Sequence, residues 1–143
     1  MANFIYTHAA KELLDGDIDL DAPSDTRIRL VMTNTTCDTE EDLDTWGAFT
    51  TDDEYDGANY AIKALANEVT AEDEANNRGE FSADNVVYTA LGAGTRANQA
   101  AILVIYVDGT ADIPIAYIEA SFTGNGGDVT LQWNAEGIVQ AQC

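Results

Sequence analysis

At 143 residues with 45% hydrophobic content, the chain is long enough for one domain with a real core and too apolar for a disordered acidic tail. Twenty-six Asp and Glu stand against six Lys and Arg, a formal net charge of −20. So negative a surface repels nucleic acid phosphates and anionic lipid, which disfavours DNA, RNA or membrane as a direct partner. It also keeps copies soluble and apart.

Phe4, Ile5, Ala9, Leu13 and Leu14 recur at helical spacing, and Gly16 closes the run, so the sequence predicts one short amphipathic helix lying across a sheet. The amino terminus lacks a basic region followed by an apolar core, which predicts a chain made without export. Asp15, Asp17, Asp19 and Asp21 then alternate with Gly16, Ile18 and Leu20. The first three fit the opening of an EF-hand loop. However, Leu20 stands where the loop glycine is needed and Thr26 where the bidentate Glu belongs, so the expectation is an extended acidic segment without metal.

Ala22–Asp25 reads as a turn, and Arg27–Met32 alternates as a strand whose two arginines should answer carboxylates across the sheet. The stretch Asn34–Asp56 is polar with apolar islands at Leu43, Trp46, Phe49 and Tyr55, and Asp42–Ala48 has room for a helical turn. Trp46, Phe49, Tyr55 and Tyr60 are each either core pegs or anchors of a partner interface, since aromatic residues tend to carry such contacts. Tyr60–Val69 is bounded by turn signals and reads as a strand. Asn76–Gly79 marks a hairpin tip, and Val86–Leu91 is a further strand.

Ala100–Val107 is β-branched and apolar, as a strand buried on both faces would be. Asp108-Gly109 signals a hairpin, Ile113–Ser121 returns antiparallel, and Gly124–Asp128 turns the chain into Val129–Trp133. These three strands are expected to form a β-meander. The predicted fold is mainly β, an antiparallel β-sandwich or Greek-key domain over residues 1–143 with one short N-terminal α-helix.

The chemistry of catalysis is hard to place. His8 is the only histidine, no G-x-S-x-G surrounds a serine, and neither glycine-rich turn is followed by the lysine a phosphate loop requires. The acids are so many that no pair stands out. Cys37 and Cys143 have no metal-binding spacing and are expected as free thiols. The sequence therefore predicts neither an enzyme nor a cofactor or metal protein.

The order of segments does resemble something known: FIYTHAAKELLDGDIDL, TRIRLVMTNT, DDEYDGANYA, VVYTALGAG, ILVIYVDG and IPIAYIEASFTGNGGDVTLQWNAEGIV. It is similar to a family of small structural proteins of tailed bacteriophages, in which an A-K-x-x-L-L-x-G-x-I helix precedes a strand and an IPIAYI-like strand runs into an N-G-G-D-[IV]-T turn. The chain departs from that pattern at Ala120–Thr123, which is shorter than the insertion associated with that point. The resemblance implies a virion protein made in the host cytoplasm, with a capsid decoration (cement) role foremost. Its implied partners are the major capsid protein and copies of itself, as a homo-oligomer. A tail-tube or neck subunit, with Asn34–Asp56 as an interlocking loop, is the alternative within the particle. A β-sandwich module for host-surface carbohydrate, using Trp133 and Asn134, is the alternative outside that class. Among like-charged copies, salt is expected to strengthen association.

Overall fold

The computed structural model describes residues 3–21 and 25–142. The expected turn at residues 22–24 and Cys143 lie outside them. The protein is mainly β, built from antiparallel sheets in a sandwich-like arrangement with one helix.

The central sheet has five strands: β1 (Phe4–Ile5), β2 (Thr26–Met32), β3 (Lys63–Ala64), β7 (Asn98–Ile105) and β8 (Ile113–Phe122), in the order β1-β8-β7-β2-β3. Two smaller sheets complete the fold. One holds β4 (Val69–Asp73), β5 (Arg78–Ser82) and β10 (Val139–Gln142), in the order β10-β5-β4. The other pairs β6 (Val86–Tyr88) with β9 (Val129–Leu131). Strand β7 is the spine. Ala100 to Val104 are buried without interruption, because the sheet is covered on both faces, as the apolar run requires.

The first helix, α1, spans Thr7–Asp15 and packs on β8. Ala9 is its buried residue, and Gly16 ends it at φ 78°, returning its N–H to Leu13 and Glu12 carbonyls. That left-handed position is why glycine stands there. Phe4 and Ile5 are not part of the helix. They pair with Tyr117 and Ala116 of β8, and the Phe4 ring stacks on Tyr117 with centroids 5.1 Å apart.

Three further expectations are corrected. Tyr60–Val69 is not a continuous strand, since it supplies only the two residues of β3 and the first residue of β4. Val86–Leu91 is a strand only to Tyr88, where Ala90 takes a φ of 50° and turns the chain. The meander stops after two strands. β7 and β8 pair over most of their length, but β9 leaves the sheet and pairs with β6 instead. The β7–β8 ladder shifts register between Asn98 and Ala100, opposite Glu119–Phe122. Such a shift raises local twist and carries the end of β8 away from the sheet plane.

Candidate functional site

The polar organisation of the molecule begins at Arg29, in the middle of β2. Its side chain is 4% exposed, and Asp112, ahead of β8, is 0% exposed. Nη2 donates to Asp112 Oδ2 at 2.6 Å and to the Gly109 carbonyl at 3.1 Å, while Nη1 donates to Glu54 Oε2 at 2.7 Å. The other Asp112 oxygen accepts the N–H groups of Val107 (2.8 Å) and Gly109 (2.9 Å). Burial alone would raise the Asp112 carboxyl. The Val107 N–H, the Arg29 guanidinium and the Gly109 N–H outweigh it and hold the group below the usual carboxylate range. The expected Asp108-Gly109 hairpin is thus a wider connection, Tyr106–Asp112, wrapped around one carboxylate. Arg27, the other arginine of β2, pairs with Asp25 and lies 3.6 Å over the Tyr106 ring.

The same knot holds the long polar stretch. Trp46 opens a 3-10 turn, Trp46–Ala48, and its backbone N–H donates to the Asp112 carbonyl at 2.7 Å. Its indole lies under the Arg29 guanidinium at 4.5 Å and donates Nε1–H to Asp52. Phe49 meets Trp46 and Tyr6 edge to face, at 5.6 and 5.7 Å. Tyr55 Oη donates to the Gly92 carbonyl (2.8 Å) and accepts from Gly94 N–H (3.0 Å). A Cβ on Gly124 would lie 2.5 Å from that hydroxyl, so the glycine turns close around one phenol. Tyr60 donates to Glu54 Oε1 at 2.7 Å and accepts from Leu30 N–H at 3.1 Å.

The four aromatics read as interface candidates are therefore occupied within the chain. Trp46, Phe49 and Tyr55 are buried, Tyr60 is half-buried, and the isolated protomer presents no aromatic patch made of them. Within the protomer their side chains are core pegs, the first of the two readings their positions allowed.

Carboxylates nearer the surface, most of them half-buried, repeat the fastening. Glu40 accepts from Thr36 and from both donors of Thr50. Asp53 joins Arg96 to Asn34 N–H, Asp56 holds both donors of Thr95, and Asp21 ties the segment after α1 to Thr70 of β4. Each of these four carboxyls is held below its ordinary range by those donors: Thr36 first for Glu40, Arg96 for Asp53, Thr95 for Asp56 and Thr70 for Asp21.

Glu12, Asp15 and Asp17 bring carboxylate oxygens within 4.8 Å of one another at the end of α1, but Lys11 already pairs with both Glu12 and Asp15. His8 lies 3.4 Å from Asp44 at the surface. Cys37 is buried, its thiol pushed up to about 12 by desolvation, and its carbonyl accepts from Tyr6. Trp133 is half-buried and donates its indole N–H to the Asp84 carbonyl at 2.9 Å.

One concave feature was not visible in the sequence at all. Where β9 parts from β8 a groove of about 370 Å3 opens, lined by Ile118–Phe122 on one side and Val129–Trp133 on the other. The hairpin signal foretold β8 and alternation foretold β9, which ends at Leu131 rather than Trp133, but neither foretold that the two would fail to pair.

No protein-family model, no curated protein and no solved structure matches the chain.

Proposed function

We propose that this protein is a structural component of a repeating assembly, binding by the shape of a rigid surface. On the resemblance of its segments to tailed-phage structural proteins, that assembly is a virion and the role is decoration of the outer head lattice. Its partners in this reading are the major capsid protein and further copies of the chain.

The observation that carries the proposal is the use made of the carboxylates. Asp112, Glu54, Glu40, Asp53 and Asp56 are committed to holding the 33–62 stretch and the β7–β8 connection in one conformation. A surface fixed in advance loses little entropy on docking, which suits a protein that makes many modest contacts on a lattice. Leu14, Val69, Val87 and Val107 stand out into solvent and offer apolar area for such contacts. The net charge of −20 keeps unassembled copies apart.

Folding of the 33–62 stretch onto its own core favours the head over a tail-tube or neck ring, where that stretch would have to reach a neighbour. The indole N–H of Trp133, already given to Asp84, argues against a sugar platform there. Quantitative mass spectrometry of purified particles tests the proposal. Copies in the hundreds are expected. About a dozen would place the protein in a neck ring, and absence from the particle, or glycan binding by the isolated protein, would refute it.

A further inference from the structure

The groove between β8 and β9 is bounded by the edges of two strands. Residues of both alternating sets line it: apolar Ile118, Ala120, Phe122, Val129 and Leu131, and polar Ser121, Thr130 and Gln132. A groove over one face of a strand would be lined by one set only. Among the described residues, no strand lies beyond Tyr117 on the edge of β8 opposite β7, where β1 ends, and none lies on the side of β9 away from β6. Asn3 Oδ1 accepts the Glu119 N–H at the mouth.

The direction of the β9 backbone follows from its neighbours. Trp133 N–H donates to Asn85 Oδ1, and the Gly127 carbonyl accepts from Leu91 N–H, both on the β6 side. Backbone groups alternate along a strand, so Thr130 and Gln132 turn their N–H and C=O away from β6, toward the groove. Both residues are exposed. Backbone donors and acceptors at alternate positions, set between apolar side chains, fit one kind of occupant: another extended chain.

We propose that this groove receives an extended segment of a partner protein as an added strand, and that this segment carries lysine or arginine between its apolar residues. Charge decides the partner. None of the groove's ten lining residues is basic, Glu119 lies among them, Asp128 lies beside Val129, and a second copy would bring another −20. The inference goes beyond the decoration role and stands whether or not the assembly is a viral head. Salt separates the two kinds of contact, since association among copies strengthens with salt whereas docking of a basic strand weakens.

The test uses the full chain and a nine-residue peptide of alternating valine and lysine, with amide hydrogen exchange read by NMR. The peptide should slow exchange at Thr130 and Gln132 by about tenfold or more while leaving Val129 and Leu131 unchanged. The same peptide N-methylated at alternate residues keeps its side chains and charge, and should bind about tenfold more weakly or worse. Gln132→Pro, which removes one groove-facing N–H, should weaken binding similarly while the β6 amides keep their exchange rates. Absence of binding, equal binding of the N-methylated peptide, or protection at other residues would overturn the proposal. So would dimers of the free protein that protect these same amides, because the occupant would then be a second copy.

Discussion

The central sheet and the β10-β5-β4 sheet are built from similar strand pairings but bury very different surfaces. In β2 and β7 nearly every residue is buried, and the strands are crossed by the Arg29–Asp112 knot. In β4, four of five residues are exposed, and the small sheet keeps Phe81 and Val139 as its buried anchors. Hydrogen bonding alone does not rank the two regions, since both are antiparallel ladders, and it is that of the central sheet that shifts register, at Val31/Met32. What differs is apolar area removed from water, about 25 cal/mol per Å2, together with the Arg29–Asp112 pair, 4% and 0% exposed, that the central sheet carries. The lesson is that stability is concentrated in β2, β7 and the first half of β8. The rim elements β4, β5 and β9 are held locally and are the parts able to adapt to a neighbour.

The sharpest way to break this contrast is to remove the central carboxylate. Asp112→Ala takes from the buried Arg29 guanidinium its fully buried counter-charge, leaving the partly exposed Glu54 opposite, and should cost about 3–5 kcal/mol in urea unfolding. It should also alter the acid limb. The folded-state pKa of Asp112 is lowered, so its share of stability is complete above the ordinary unfolded value of about 3.9 and is lost as pH falls through the folded value. The variant should lose that share and show a shallower decline below about pH 4. An unchanged acid limb would mean that Asp112 titrates normally in the folded protein.

Next in size, Leu103→Ala in β7 should destabilise by about 2–5 kcal/mol, because the side chain is fully buried and its neighbours cannot close the cavity. At Ala90 the backbone is left-handed, with φ 50°, a conformation that costs an L-residue with a side chain about 1–2 kcal/mol. Ala90→Gly should recover up to about 1 kcal/mol net of the unfolded chain's added freedom, seen as a raised Tm. Smallest of all, Val69→Ala on the exposed edge of β4 should stay within about 0.5 kcal/mol of the parent. A loss at Val69 comparable to that at Leu103 would erase the distinction between the regions.

Legibility in the sequence followed the same division. The Arg27-x-Arg29 alternation, the unbroken apolar run at Ala100–Val104 and Gly16 after α1 each have one local solution, and the structure adopts it. Phe4 and Ile5 fit helical spacing equally well, and only the open edge of β8 selects a strand. The partner of β9 was hidden because alternation tells which face of a strand is dry, not which strand lies beside it. Trp46, Phe49 and Tyr55 sit among polar residues, where sequence alone does not separate a peg that turns inward from one that faces out. Their burial is decided by Arg29, Asp112 and the Gly92–Gly94 turn, residues distant in the chain. Asp112 could have been suspected as the acid just ahead of a buried strand, but one aspartate among so many acidic residues carries no distinguishing mark.

Residue-resolved native-state hydrogen exchange on the unbound protein tests the division most directly. Amides of Ile28–Val31 and Ala101–Val104 should exchange only through global unfolding, with the full denaturant dependence, while those of β4, β5 and the groove-facing positions of β9 exchange through small local openings. If all strands instead exchanged with one free energy and one denaturant slope, the molecule would be a single cooperative block, and the picture of a charge-locked frame with an adaptable rim would be contradicted.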